Sequence, residues 1–234
     1  MLLTGFPSAV FGTNCYVVAP AAGEECLVVD PGIEVLGQLG DVLREHRLRP
    51  AAVLLTHGHV DHTYSVTPVC GSNSVAAYIH TDDRDRLVDP LTEFASSGLL
   101  AMLEQQFGRA ATWAQPQDVV EIADETVLEL AGLRVRVVHA PGHTEGSVMF
   151  ALDDVPEGAP ADVSASLLTG DVLFAGSIGR TDLPGGDHAA MLASLRHRVL
   201  PQPDDTLVLP GHGPVTTIGR ERATNPFLRE LLAS

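Results

Sequence analysis

Lysine is absent from this chain, and all 14 of its basic residues are arginine. Mechanisms that use a Schiff base or a lysine nucleophile are therefore excluded. The 30 acidic residues outnumber the arginines and give a net charge of −16 at pH 7. Because binding to phosphates depends mainly on lysine and arginine, we expect neither a nucleic acid nor an anionic membrane as a partner.

Cysteine is scarce as well, and no long apolar run occurs. The three cysteines, Cys15, Cys26 and Cys70, include no CxxC pair, so neither a disulfide framework nor a cysteine zinc finger is predicted. No uncharged apolar run approaches the roughly 18 residues that span a bilayer. The N-terminus has neither the basic region nor the apolar core of a signal peptide. These absences predict a protein of the reducing cytoplasm.

Short apolar runs bounded by glycine, proline and aspartate recur along the chain and predict β-strands. Two pairs of such runs predict β-hairpins, one at Cys15–Ala19 and Cys26–Val29 and the other at Val127–Leu130 and Leu133–Val138. Segments with apolar residues at helical spacing lie between the strands. This alternation predicts the α/β class, with a layered sandwich of mixed sheets, and we expect one domain over residues 1–234.

The most informative segment is THGHVDH at residues 56–62, which directly follows a predicted buried strand. Three imidazoles and one carboxylate in so short a stretch are costly to bury without a partner. On a tight loop at the end of a strand, such side chains can converge on a metal ion. Histidine supplies neutral nitrogen to the metal, and aspartate supplies oxygen. The segment therefore predicts a metal site rather than a solvated loop.

Three later segments have the same form. His143 in PGHT, Asp171 in TGD and His212 in PGHG each come just after an apolar strand. Each stands beside a glycine, which permits tight backbone geometry. One such residue alone would indicate a turn, but their recurrence together with residues 56–62 predicts one shared metal centre.

The motifs HGHVDH, PGHT, TGD and PGHG, in this order, resemble those of the metallo-β-lactamase superfamily of metallohydrolases over nearly the whole chain. The resemblance implies an αβ/βα sandwich, in which two mixed β-sheets are flanked by helices, with two divalent metal ions at one edge. By the family's pattern, one ion would be held by His57, His59 and His143. The other would be held by Asp61, His62 and His212, and Asp171 would bridge the two ions.

Two further segments suggest a subfamily. Residues 177–187, SIGRTDLPGGD, resemble a loop of glyoxalase II-like hydrolases and of persulfide dioxygenases, and TNPFL at 224–228 is similar to the end of compact bacterial glyoxalase II-like proteins. The chain ends shortly after His212. We therefore expect the compact form, without the helical C-terminal domain that contacts glutathione in longer members. β-Lactamases of the superfamily usually lack histidine at position 62 and carry cysteine at position 171, which disfavours that activity here.

The implied activity is metal-dependent hydrolysis of a small-molecule hydroxyacyl thioester, such as S-lactoylglutathione or the ester of another low-molecular-weight thiol. Water bound between two cations supplies hydroxide at neutral pH, and Asp61 and Asp171 would be the catalytic carboxylates. Zinc is the expected metal, although a site of histidine and aspartate also accepts iron or manganese. The alternative is a mononuclear iron dioxygenase for glutathione persulfide, with iron on His57, His143 and Asp171. A non-enzymatic binding protein is disfavoured because all seven ligand positions are filled.

Three residues outside the ligand set are further candidates for supporting the metal site or binding substrate: Asp30, Arg180 and Asp182. Asp30, in VDPG, either orients a ligand histidine or only forms the turn. Arg180 either binds a carboxylate of the substrate or forms an ion pair within its own loop, with Asp182 or Asp187. The sequence leaves both pairs of alternatives open and predicts no oligomeric state.

Overall fold

Six strands of the N-terminal half form one mixed sheet. The computed structural model describes residues 1–96, 98–108 and 110–233. The strands lie side by side in chain order: β1 (Leu2–Pro7), β2 (Asn14–Ala19), β3 (Glu25–Val29), β4 (Arg49–Leu54), β5 (Ala77–His80) and β6 (Val119–Ile122). Neighbours from β1 to β3 are antiparallel, and neighbours from β3 to β6 are parallel. The predicted hairpin of β2 and β3 is confirmed, and β1 precedes it at the edge.

Six strands of the C-terminal half form a second mixed sheet. In chain order they are β7 (Val127–Leu130), β8 (Leu133–His139), β9 (Val148–Leu152), β10 (Ala165–Gly170), β13 (Thr206–Pro210) and β14 (Thr216–Thr217). Their spatial order is β14-β13-β10-β9-β8-β7. Only β10 and β13 pair in parallel within this sheet. The predicted hairpin of β7 and β8 is confirmed, and β11 (Leu173–Phe174) and β12 (Ser177–Ile178) form a separate small ribbon.

Helices connect the strands and close the structure. The α-helices are α1 (Leu36–His46), α2 (Val60–Thr63), α3 (Val66–Asn73), α4 (Pro90–Ser96), α5 (Leu99–Phe107), α6 (His188–Ser194), α7 (Ile218–Thr224) and α8 (Pro226–Ala233). A 3₁₀-helix covers Thr81–Leu87, and a π-helical turn at Leu195–Val199 continues α6. In the described part of the chain, no helix has the length and apolar character needed to cross a membrane.

The alternation of side chains along the strands produces three apolar layers. Val18 and Phe150 lie in the layer between the two sheets. Their neighbours in sequence point the other way: Val17 packs with Leu39 of α1, and Met149 packs with side chains of α6 and α8. Each sheet thus buries one face against the other sheet and one face against helices. This order of layers confirms the predicted αβ/βα sandwich of two mixed sheets.

Candidate metal centre

All seven side chains of the predicted ligand set come together at one edge of the sandwich. Residues 56–62 follow β4 and enter α2, and the other three ligand segments follow β8, β10 and β13. Backbone hydrogen bonds tie these strand ends together, from Val148 N to Thr56 O at 2.8 Å and from Gly211 N to Gly170 O at 2.8 Å. The centre therefore bridges both sheets.

One group of ligand-capable atoms belongs to His57, His59 and His143, which are all buried. One ring nitrogen from each of the three lies within 4.8 Å of the other two. The Nδ1 atom of His59 is 2.8 Å from the Nε2 atom of His143. Three imidazoles at this spacing match the nitrogen ligands of a first-row divalent metal.

A second group belongs to Asp61, His62 and His212. The Asp61 Oδ2 atom is 3.5 Å from His62 Nε2 and 3.3 Å from His212 Nε2. The hydroxyl of Thr13 also donates to Asp61 Oδ2, at 2.9 Å, and so holds the carboxylate in place. This group supplies two nitrogens and one oxygen.

Asp171 lies between the two groups. Its Oδ2 atom is 3.5 Å from Nε2 of His143 in the first group and 3.5 Å from Nε2 of His212 in the second. Its Oδ1 atom is 3.3 Å from His62 Nε2. One carboxylate therefore faces both groups, as a bridging ligand must.

The hydrogen bonding in the centre is incomplete without a cation. Five buried polar side-chain atoms in the described residues have no hydrogen-bond partner, and four of them belong here: His57 Nε2, His59 Nε2, His62 Nε2 and Asp171 Oδ1. His62 Nε2 and Asp171 Oδ1 are close, but their geometry is not that of a hydrogen bond. Buried polar atoms without partners are costly. Nitrogen and oxygen atoms arranged in this way fit divalent metal ions.

Outward hydrogen bonds fix the ring orientation of four of the histidines. In each case Nδ1 faces an oxygen outside the cluster: Thr56 Oγ1 for His57 (3.1 Å), Asp30 Oδ2 for His62 (2.9 Å), Arg180 O for His143 (2.8 Å) and Phe11 O for His212 (3.1 Å). Since these oxygens accept from Nδ1, Nε2 is the nitrogen of each ring that faces the cluster and could bind a metal. Ligand histidines in metalloproteins are commonly oriented by this kind of bond.

Burial and the neighbouring carboxylates shift the pKa values of the candidate ligands in different directions. Burial lowers the pKa of His57 well below its usual value and lowers that of His59 to about 3, so both rings are neutral at pH 7. Burial alone would raise the pKa of Asp171, but the neighbouring His62 lowers it to about 2. Burial also opposes protonation of His62, yet Asp171 and two further carboxylates raise its pKa. A cation would take the place of that proton.

Asp30 contacts the centre directly and is not only a turn residue. Its Oδ1 atom accepts the backbone N–H of Thr56 at 2.8 Å, and its Oδ2 atom accepts the Thr56 hydroxyl at 2.7 Å and Nδ1 of His62. Its φ of 49° also makes the sharp turn after β3. Asp30 thus forms the turn and also contacts His62, and its role in orienting a metal ligand stays a prediction.

Arg180 contacts the centre through its backbone carbonyl, which bonds to His143. Its guanidinium forms a two-point ion pair with Asp182, at 2.7 and 2.8 Å, and both side chains are largely exposed. The ion pair within the loop, one of the two alternatives from the sequence, is thus present.

Two side chains outside the predicted site residues hold the His212 loop. Asn14 and Tyr16 of β2 donate to the carbonyl of Pro210 at 2.9 and 2.8 Å, and Asn14 donates to the carbonyl of Gly213 as well. The signal for this role in the sequence was the polar Asn14 at the start of an otherwise apolar strand.

Comparisons with known proteins agree with this geometry. A family profile described as "Metallo-beta-lactamase superfamily" matches residues 9–212. The chain is 32% identical over 222 residues to a Haemophilus influenzae protein named hydroxyacylglutathione hydrolase GloC, and the alignment covers 95% of each protein.

Two solved structures are also similar. The BLEG-1 B3 metallo-beta-lactamase is 38% identical, with a TM-score of 0.79, over 97% of this chain and 99% of that one. The protein TTHA1623, solved in a di-iron-bound form, is 37% identical, with a TM-score of 0.72, over 96% of this chain and all of that one. Together with the His/Asp cluster, these relatives support a hydrolase that uses divalent metal ions. The chain belongs to the metallo-beta-lactamase superfamily.

Proposed function

We propose that this protein is a binuclear metal-dependent hydrolase of a hydroxyacyl thioester, such as S-lactoylglutathione or the ester of an analogous small thiol. The observation that carries the two-metal proposal is the position of Asp171, whose Oδ2 atom is 3.5 Å from a histidine of each group. A one-metal site would leave the second group without a role. Zinc is the proposed metal, and the di-iron form of a relative makes iron the first metal to compare with it.

Residues of the chain would hold the metal-binding side chains in the orientation that ligation needs. Bound divalent cations would polarise a carbonyl group and activate water at neutral pH. Asp171 would span the two groups, and Thr13 would keep Asp61 oriented toward His212 through its hydroxyl. A thiolate is a good leaving group because the thiol pKa is only about 8.5, so the site needs no strong general acid.

The choice of a thioester is supported by the relative named hydroxyacylglutathione hydrolase, which aligns along nearly the whole chain. The glyoxalase II-like loop at residues 177–187 also supports it, since the carbonyl of Arg180 in this loop bonds to His143.

β-Lactam hydrolysis is the second candidate, because the solved structure of the BLEG-1 B3 metallo-beta-lactamase is 38% identical over almost the full chain. His62 and Asp171 argue against it, because β-lactamases of the superfamily usually lack that histidine and carry cysteine at position 171. The iron dioxygenase alternative uses only His57, His143 and Asp171. It gives no role to His62, which Asp30 orients.

Metal counting and a substrate panel test the proposal. The purified protein, with its metals measured, would be given hydroxyacyl thioesters of several thiols, a chromogenic β-lactam, and glutathione persulfide with an oxygen electrode. We expect two metals per chain and thioester turnover. We expect His212→Ala to lose one metal and most turnover, whereas His197→Ala, at an exposed histidine, keeps both. One iron per chain, with oxygen uptake that survives His212→Ala, would make the hydrolase proposal wrong. Turnover of the β-lactam alone would favour the second candidate.

A further inference from the structure

Asp83 is a fully buried carboxylate that belongs to neither ligand group. It lies in the 3₁₀-helix Thr81–Leu87 after β5, and its exposed fraction is 0%. Its neighbours Asp82 and Asp85 are exposed. Aspartate is almost never fully buried unless it is paired or hydrogen-bonded, so the partners of Asp83 indicate what its burial achieves.

These partners lie in the two loops that carry the first ligand group. The Oδ2 atom of Asp83 accepts the N–H of Gly58 at 2.7 Å and the hydroxyl of Thr144 at 2.7 Å. Its Oδ1 atom accepts the N–H of Gly146 at 2.9 Å. Gly58 stands between His57 and His59, and Thr144 follows His143 directly. One carboxylate therefore joins the backbone segments of all three histidines.

Two glycines let the loops approach this closely. A Cβ atom on Gly146 would lie 2.6 Å from the backbone nitrogen of Asp83, and a Cβ atom on Gly58 would lie 2.6 Å from Cβ of Arg86. Real Cβ atoms do not come so near to such atoms. The glycines in HGH and HTEG are thus accounted for by contact with the Asp83 helix.

Arg86 balances the buried charge and extends the connection to a third loop. Its Nε atom donates to Asp83 Oδ1 at 3.2 Å, and its guanidinium also donates to Glu145 at 2.7 Å and to the carbonyl of Pro184 at 3.0 Å. Pro184 belongs to the loop whose Arg180 carbonyl bonds to His143. The loop of residues 56–62, the loop that follows His143 and the loop of residues 177–187 are therefore all bonded to the ion pair of Asp83 and Arg86.

We propose that Asp83 is a positioning residue for the first metal group, His57, His59 and His143, and sets the affinity of that group alone. The inference rests on the proposed metal centre but not on the identity of the substrate. Asp83 touches no ligand atom and acts through the loops that it joins. Residues that orient metal ligands typically change affinity about 10- to 100-fold when they are replaced.

Asp83→Asn is the informative variant. Each Asp83 oxygen accepts from two donors, so an amide in either orientation turns an NH₂ group toward two of them. Asp85→Asn is the matched control, since it removes the same charge from an exposed position in the same helix. Zinc affinity would be measured by competition with a chromophoric chelator in two backgrounds. His212→Ala disables the second group, and His59→Ala disables the first.

The expected result is a loss of zinc affinity of about 10- to 100-fold from Asp83→Asn in the His212→Ala background and no loss in the His59→Ala background. Equal losses in both backgrounds, or a lower melting temperature with unchanged affinity, would overturn the positioning role. If the parent protein binds neither zinc nor iron, the proposed metal centre is wrong and the inference fails with it. A parent protein that binds metal, with unchanged affinity in Asp83→Asn, would refute the inference alone. Should Asp83→Asn not fold, Thr144→Val removes one of the same bonds, and Thr144→Ser, which keeps the hydroxyl, should restore the affinity.

Discussion

Replacing Asp30 with asparagine should disable the second metal group while leaving the fold in place. Asp30 accepts the N–H and the hydroxyl of Thr56, and its Oδ2 atom is 2.9 Å from Nδ1 of His62. A carboxylate only accepts hydrogen bonds, so Nδ1 of His62 carries the proton and Nε2 is left for a metal. Asparagine is close in size, and it tolerates the left-handed backbone found at position 30.

The amide has no satisfactory orientation. If its NH₂ group faces His62, Nδ1 must accept, and the proton moves to Nε2, the atom that would bind the metal. If its oxygen faces His62, the NH₂ group meets the N–H of Thr56. The first outcome should weaken one metal about 10- to 100-fold, or roughly 1.4 to 2.8 kcal/mol. The second leaves a buried donor unsatisfied, which costs about 1–3 kcal/mol of folding stability.

The assay is zinc titration of the metal-free protein, followed by thermal melting of the same samples. We expect one zinc equivalent to weaken while the other keeps its affinity, and we expect the melting temperature to fall by roughly 2–4 °C for each kcal/mol lost. Asp41→Asn is the control, since Asp41 is exposed on α1 and pairs only with Arg44 in the described structure. Two unchanged zinc affinities in Asp30→Asn would refute the tautomer argument.

Three further outcomes are expected. Removing the metals with a chelator should lower the melting temperature, because ligands that bind only the native state stabilise it by mass action; an unchanged midpoint after verified metal loss would count against the centre. Gly211→Ala should reduce metal content and activity, because its Cβ atom would lie 2.2 Å from Asp171 Oδ1. Gly37→Ala, in α1 with open space around it, should instead stabilise the protein by about 0.5–1 kcal/mol in a thermal or urea melt. Burial raises the pKa of Cys26 to about 12 and that of Cys70 to about 11, and it raises that of Cys15 further. All three thiols are buried and only a small fraction of each is ionised at pH 8, so a thiol reagent should label the native protein much more slowly than the urea-unfolded protein at that pH; equal rates would show that the thiols are accessible.

The layers of the fold were predictable because their signal is local. Alternation of apolar residues has a period of two along a strand, and a run of four or five residues is enough to reveal it. The edge strands β1 and β6 were not predicted. A short strand at an edge has a weak local pattern, and its pairing with a neighbour decides its conformation.

The candidate ligands could be found from the sequence because of their chemistry. Histidine and aspartate beside glycine at the ends of apolar strands have few structural reasons to recur in one chain, so the sequence could nominate His57, His143 and Asp171 for a shared site. Asp83 could not be found in this way. It stands in TDDRDR, and a run of charges normally marks a solvated helix face.

What the sequence determined by itself was the class of fold and the residues able to hold a metal, since both depend on local spacing and on the chemistry of single side chains. Only the tertiary structure decided how these residues are supported. It buried Asp83 while leaving Asp82 and Asp85 exposed, and it used the backbone carbonyl of Arg180 where the sequence drew attention to the guanidinium. It also brought Asp30 to His62 across 32 residues of chain. The physical reason is that a hydrogen bond between distant segments depends on how two sheets and their loops pack, and no local pattern records that packing.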